Sequence, residues 1–403
     1  MFNEPLHCAL TKQALVLKMS PNLTQLLKQQ SAPEDDSWQP VFFRLSEESD
    51  AVALEKLLSN NPNIVVRDQI MLQLKDLVKL ENPQKTLSHE EYEILIQEKL
   101  QGNSTDTYGV WVYYPWKGEI VHLLDEEEFI RVRTIRNAYK ITFEEQALLG
   151  TKKIGVIGLS VGQSVALAIA MERIAGELRL ADFDHIELSN LNRLRSPNSA
   201  LGQNKSTNVY NEIKSLDPYI TVAIYPEGIT QSDIEDSLLR NGKLDAVVEE
   251  CDTIEIKILV RSICKKHGIP VISETSDLFL LDVERYDVEP DYEIFHSLLG
   301  KYEEIELQDP SKRFNFISKI LDINKLSSRG QESLTEIQKS ITTWPQLATD
   351  VIAGGAITAQ ILKQILLGSP IKSGRGRLDI MDHYEKQFQL FRKDNSIIHS
   401  NSQ

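Results

Sequence analysis

Residues 152–205 constrain the fold more than any other stretch of the chain. They read KKIGVIGLSVGQSVALAIAMERIAGELRLADFDHIELSNLNRLRSPNSALGQNK. The β-branched run 154–157 predicts a strand and GLSVG a glycine-bearing turn. An apolar helix follows over 162–174, with Gly176 as its terminating glycine, and a second strand closes on Asp182. That succession is the first βαβ unit of a nucleotide-binding sheet. Asn190, Asn192, Arg193 and Lys205 then arrive together on a loop-like pattern. A dinucleotide site needs an acid for its ribose but no cluster of amides and cations just beyond it. A triphosphate site needs both.

The alternation continues downstream. Strand signals fall at 220–225, 244–249, 270–273 and 279–286, with helical patterns at 204–215, 231–240 and 253–267 between them. The expected fold is α/β: a Rossmann-like, mostly parallel sheet flanked by helices, preceded by a smaller N-terminal α/β domain. The expected division is 1–128 for that domain, 129–390 for the sheet domain and 391–403 for a flexible tail. In the first part, 40–45 reads as a strand, 51–59 and 67–80 as helices, and 108–114 with 119–124 as a hairpin. Its aromatics, Trp38, Trp111 and Trp116, read as core. A charged helix runs from Asp125 toward the first strand of the sheet domain. Residues 290–340 read as a polar, helix-leaning lid or insertion, and 351–367 as an apolar helix whose two glycines suit close packing.

Composition limits the partners. A net charge of −15 over 403 residues argues against nucleic acid as the main partner, while leaving room for a local basic pocket. Cys8, Cys251 and Cys264 form no CxxC pair, and the histidines form no metal-binding spacing, so no zinc is expected. The longest apolar run, 165–171, is far short of the roughly 20 residues of a spanning helix. With no basic-then-apolar leader pattern at the N-terminus, a soluble cytoplasmic protein is expected.

Each candidate residue has a chemical reason. Gly158, Ser160 and Gly162 lie in the turn, where backbone N–H groups and the helix dipole favour phosphate. Asp182 ends the second strand, where a carboxylate accepts ribose hydroxyls. Arg193 offers a planar fork of donors and Lys205 a mobile point charge, together suited to a diphosphate and to stabilising pyrophosphate as it leaves. Asn190 orients either a phosphate or its own loop. Asp252 follows a buried strand, facing the ligand crevice, where it holds Mg²⁺, positions an attacking carboxylate or caps the next helix. Glu249 or Glu250 is an alternative metal ligand. Arg133 and Arg136 reach a phosphate within the chain or across a dimer, or lie on a solvated face. Cys251 and Cys264 read as buried structural thiols.

These residues, in this order, resemble the ThiF/MoeB/ubiquitin-activating-enzyme superfamily of ATP-dependent adenylyltransferases. The glycine turn, LADFDHIELSNLNR, GQNK ending at Lys205 and CDT containing Asp252 carry the resemblance. RTIRN is similar to the family's entry arginines and WPQLATDVIAGGAITAQILKQIL to its last core helix. KITFEEQ, GLSVG and WPQLATDV resemble a bacterial branch often fused to a nitroreductase-like domain. The resemblance implies ribose binding by Asp182, triphosphate binding by Arg193 and Lys205, and Mg²⁺ at Asp252. It also implies a phosphate contact from Arg136 of a partner copy in a homodimer. The implied reaction joins a carboxylate to the α-phosphate of ATP, giving an acyl adenylate and pyrophosphate. The carboxylate belongs to a small acid, a peptide C-terminus or a modified nucleoside.

The chain also departs from that pattern. GLSVGQ stands where the family has GxGGxG, ISETSD (272–277) replaces a glycine-rich stretch, and no cysteine sits at a thioester position. Three alternatives therefore accompany the adenylyltransferase: a tRNA-modifying dehydratase using the same ATP site, a nicotinamide-dependent oxidoreductase, and a non-catalytic nucleotide-binding scaffold.

Overall fold

A computed structural model describes residues 39–300 and 309–387. Trp38, Cys8, the segment 32–37 and the tail 391–403 lie outside them. The N-terminal elements are β1 (Val41–Phe43), α1 (Glu48–Asn60), β2 (Val65–Asp68), α2 (Ile70–Glu81), α3 (His89–Leu100), β3 (Val110–Tyr114) and β4 (Glu119–Leu123). Their four strands form one mixed sheet in the order β1-β3-β4-β2, with β2 parallel to β4 and the other pairs antiparallel. The β3–β4 hairpin falls where its alternating aromatics place it. Arg67 is in strand β2 rather than in the helix expected from 67, because its guanidinium reaches Glu119 on β4. Trp111 is buried and stacks on His122 with ring centroids 4.0 Å apart, as a core aromatic does. Trp116 packs edge-on against Tyr114 and Tyr210.

The expected linker helix is two helices, α4 (Glu126–Thr134) and α5 (Phe143–Leu149). The second sheet then builds through β5 (Lys153–Ile157), α6 (Gly162–Glu172), β6 (Glu177–Ala181), α7 (Lys205–Leu216) and β7 (Thr221–Tyr225). It continues with α8 (Ile234–Leu239), β8 (Ala246–Glu249), α9 (Ile254–His267), β9 (Val271–Thr275) and β10 (Leu280–Glu284). After α10 (Pro310–Leu321), α11 (Ser328–Glu336) and α12 (Ala348–Leu366), β11 (Gly374–Arg377) adds an edge. The order is β11-β10-β9-β8-β5-β6-β7, parallel from β7 through β9 and antiparallel at β10 and β11. Both faces are covered. Ile154 and Val156 of β5 pack with Val165 of α6, Val209 of α7 and Leu362 of α12. Ile157 and Val247 pack on the other face with Leu238 of α8 and Val260 and Cys264 of α9.

Two details depart from expectation. Helix α6 stops at Glu172 with Arg173 in the left-handed conformation, so Gly176 is not its terminator. Gly176 is needed for close approach instead: a Cβ there would lie 1.9 Å from the Gly150 carbonyl oxygen. The region read as a lid contains two capped helices, α10 and α11, the first burying Phe316 and Ile320 against Ile254, Ile258 and Phe295. Among the described residues no helix is long and apolar enough to cross a membrane.

The chain runs outward from β5 to β7, then returns to β8 on the other side of β5. That reversal opens a crevice at the carboxyl ends of β5 and β8.

Candidate functional site

Gly158 follows β5 directly and has φ of +87°. A Cβ there would sit 2.6 Å from the Glu250 carbonyl group, so only glycine lets the turn lie against the strand end of β8. The turn leads into α6, whose N-terminus has no side-chain cap. The N–H groups of its first turn are therefore available to an anion. A Cβ at Gly162, the first helical residue, would press to 2.8 Å on Val156.

Asp182 follows β6 and is buried. Its Oδ2 accepts the Leu159 N–H at 2.7 Å and its Oδ1 the Asp184 N–H at 2.8 Å. Burial pushes its carboxyl above the ordinary range, while the Leu159 bond and the nearby Lys205 oppose that shift. Each oxygen keeps a second lone pair, so the same carboxylate that pins the turn can still accept hydroxyl donors. Asp184, which the sequence leaves without a role, is also the partner of Lys205: Nζ lies 2.8 Å from its Oδ2. Lys205 is itself buried at the first position of α7, whose N-cap Asn204 accepts from Ser206 and Thr207.

Arg193 folds back over the turn. Its Nη2 and Nε lie 3.1 and 3.3 Å from the Ser160 hydroxyl, and its Nη1 donates to Asn192 Oδ1 at 2.9 Å. Burial lowers the guanidinium's pKa and Asp252 opposes the shift, which places that carboxylate within electrostatic reach. Gln163, a departure from the expected glycine pattern, clamps the same loop. Its amide bonds both backbone groups of Arg195 and donates to Glu212. The departure from glycine marks Gln163 in the sequence, but its role follows from the loop it meets.

Asp252 lies just beyond β8, exposed and without a hydrogen-bond partner among the described residues. It does not cap α9, whose N-cap is Thr253. The neighbouring acids are not interchangeable with it. Glu249 is fully buried beneath Lys257 and Arg261, with Nη1 of Arg261 2.6 Å from Oε2. Burial alone would raise its pKa, but those two cations hold it at about 2. Glu250 is buried under the turn, accepting the Glu274 N–H at 3.0 Å. Neither faces the crevice as a metal ligand, and among the described residues no group of three histidine, cysteine or acidic side chains converges on a metal position.

The remaining candidates are placed elsewhere. Asn190 spends its carbonyl oxygen on the Glu187 N–H at 3.0 Å, orienting the loop. Asn192 ties that loop to the Gln346 carbonyl at 2.7 Å, just before α12. Arg133 holds the carbonyls of Leu216 and Met171 at the ends of α7 and α6, a structural task. Arg136 is exposed, with no partner among the described residues, and precedes in sequence the exposed Tyr139, at φ +67°, and the exposed Phe143. Cys251 donates to Glu249 at 2.9 Å, and burial pushes its thiol up, as it does that of Cys264. Neither thiol is a ready nucleophile.

The crevice thus assembles an uncapped helix start, a turn-locking acid, an arginine over the turn and an open acid at the next strand end. The chain is 38% identical over 342 residues to the uncharacterized protein MT1398 of Mycobacterium tuberculosis, covering 84% of this chain and 45% of that protein. It is 33% identical over 134 residues to the tRNA threonylcarbamoyladenosine dehydratase of Haemophilus influenzae, covering 33% of this chain and 50% of that one. The chain spans about half the length of these curated relatives. Among solved structures, the E. coli tRNA N6-threonylcarbamoyladenosine dehydratase in complex with ATP aligns at 17% identity and a TM-score of 0.41, over 59% of this chain and 94% of that one. The PaaA structure aligns at 17% identity and a TM-score of 0.42, over 90% of this chain and 87% of that one. The ThiF family model matches residues 133–396, most of the chain, and the chain belongs to the ThiF family.

Proposed function

We propose that this protein is an ATP-dependent adenylyltransferase that activates a carboxylate as an acyl adenylate. The observation that carries the reading is the convergence of Gly158, Asp182, Arg193 and Asp252 on one crevice at the sheet's reversal point. ATP lies with its phosphates over the α6 N-terminus and its ribose at Asp182. Arg193 exchanges the Ser160 hydroxyl, and Lys205 its ion pair with Asp184, for phosphate oxygens that carry more charge than either partner.

Mg²⁺ fits Asp252. The carboxylate is exposed and unpaired, and this ion commonly takes one or two protein carboxylates with phosphate and water oxygens completing its shell. When bound, it neutralises phosphate charge. The chain's own groups position and stabilise. A substrate carboxylate oxygen attacks the α-phosphorus, the bond to the β,γ-diphosphate breaks, and pyrophosphate leaves with its charge met by Arg193 and Lys205. No covalent protein nucleophile is used.

The exposure of Arg136, and of Tyr139 and Phe143 a few residues further along the chain, supports a homodimer in which this arginine reaches the partner's phosphates. Residues 1–128 are read as a separate domain from 129–390, with 391–403 as a tail. A modified nucleoside is the second substrate reading, favoured by the similarity to a tRNA threonylcarbamoyladenosine dehydratase.

ATP–pyrophosphate exchange over a panel of carboxylates tests the proposal. Exchange is expected with one substrate class and is lost in Asp252→Ala. Absence of ATP–Mg²⁺ binding by calorimetry would overturn it and leave a scaffold.

A further inference from the structure

Seven acidic side chains are buried in the described residues: Asp182, Asp217, Glu249, Glu250, Glu274, Asp282 and Glu284. Most are compensated by the usual means. Asp182 holds two backbone N–H groups, and Asp217 pairs with Arg173. Glu249 and Glu284 share Arg261, and Asp282 lies against His296 and Arg375. Glu250 has the Glu274 N–H. Glu274, 3% exposed near the end of β9, has neither: both of its carboxylate oxygens lack a hydrogen-bond donor.

The surroundings of Glu274 are built for that carboxylate. A Cβ at Gly354 of α12 would lie 2.3 Å from Oε2, so a larger residue there would displace the carboxylate from its present position. Asp350 stands one turn earlier on the same face of α12, where its charge opposes that of Glu274. Glu250 approaches from below, its Cγ against Gly162 at the start of α6. Asp277, in the turn after β9, is occupied by the Ser327 N–H and hydroxyl and adds to the negative field at Asp350. Among the described residues no lysine, arginine or histidine pairs with Glu250, Glu274 or Asp350. Burial first, and the charge of Asp350 second, raises the Glu274 carboxyl to about 8.

We infer that Glu274 and Asp350 receive a positively charged group, a protonated amine or guanidinium, on the substrate whose carboxylate is activated. The inference rests on the adenylation reading and adds a substrate class to it. The place suits an acyl substrate. Glu250 is two residues before Asp252, and Asp350 is four residues after Gln346, to which Asn192 of the nucleotide loop is tied. Through the Asn192–Gln346 bond, the start of α12 that carries Asp350 is tied to the nucleotide loop. A ligand cation would supply the missing donors and allow Glu274 and Asp350 to ionise together.

The test compares ATP–pyrophosphate exchange driven by 4-aminobutyrate, ornithine and lysine with that driven by butyrate, pentanoate and hexanoate, in the wild type, Glu274→Gln and Asp350→Asn. Glu274→Gln keeps the side chain's shape, and its ATP–Mg²⁺ affinity is expected to match the wild type. Preference for the amine-bearing acids, with a loss of about tenfold or more in either variant, supports the inference. Equal use of both classes, or exchange untouched by Glu274→Gln, overturns it and leaves adenylation standing. If ATP–Mg²⁺ binds but no acid on the panel exchanges, methylammonium is titrated into protein labelled with ¹³C-glutamate. Movement of the Glu274 carboxyl titration to lower pH supports the cation site, and a fixed titration overturns it. Failure to bind ATP–Mg²⁺ overturns both readings.

Discussion

The side-chain amide of Gln163 grips both backbone groups of Arg195, donating to its carbonyl at 3.0 Å and accepting from its N–H at 2.8 Å. Arg195 is two residues beyond Arg193, so a buried residue of α6 sets the position of the loop that carries the phosphate-binding guanidinium. Gln163→Ala leaves both backbone groups of the exposed Arg195 without that partner, at a cost of about 0.5–1.5 kcal/mol for each lost bond. The expected result is a lower urea midpoint together with ATP–Mg²⁺ affinity weakened roughly tenfold by the freed loop. Calorimetry showing unchanged affinity in the folded variant would mean that Arg193 is positioned without this clamp.

The Arg193–Ser160 contact predicts the opposite sign. Arg193 must leave the Ser160 hydroxyl to meet a phosphate, giving up a hydrogen bond from a charged donor. Ser160→Gly removes that competitor and restores the glycine that the resembling family carries. ATP–Mg²⁺ binding is expected to tighten by roughly threefold to tenfold. Weaker binding in the same calorimetric assay would show that the hydroxyl orients Arg193 productively.

Glu212 gives the loop a pH dependence. Burial raises its pKa to about 7, against the pull of Arg195 and the bond from Gln163. An acid whose folded pKa is raised binds more protons in the native state, so its contribution is fully present below the unfolded value of 4.5. It is lost as pH rises through about 7. With part of the side chain in contact with water, the effect is on the order of 1 kcal/mol. Glu212→Gln should flatten urea stability between these two pH values. Equal slopes in variant and wild type would remove Glu212 as the source.

Much of this was legible in the chain. The β5–α6–β6 unit, Asp182 after its second strand and Asp252 after β8 follow from strand periodicity and glycine placement, which are local properties. Long-range pairing was not legible. Strand β11 is GRGR, with no β-branched residue, and holds its place by pairing with β10 and by Arg377 bonding the Asp277 carbonyl. Arg133 looked like a phosphate ligand because sequence shows charge without direction; the fold turns it onto two helix ends. In EECD the sequence favours Asp252 and keeps Glu249 or Glu250 as an alternative metal ligand, and burial decides against the two glutamates.

Arg261 supports that strand end from below. It lies between Glu249 and Glu284, at 2.6 Å from each, with its guanidinium 4.0 Å from the Phe295 ring centroid. Arg261→Met keeps much of the volume but removes the cation that two buried carboxylates share, leaving Glu249 with Lys257 and the Cys251 N–H, and Glu284 with the neutral donors of the Tyr286 hydroxyl and the Phe295 N–H. Breaking one side of such a network costs about 3–5 kcal/mol. The loss should be greatest near neutral pH and shrink in acid, because the variant's carboxylates can escape the penalty by protonation. In the wild type the sign is reversed: the depressed Glu249 pKa contributes stability above 4.5 that is lost as pH falls toward about 2. Adding Glu249→Gln and Glu284→Gln to Arg261→Met removes the stranded charges, and the triple variant should regain most of the urea midpoint. A triple variant as unstable as the single one would place the cost in lost packing against Phe295 instead of in electrostatics.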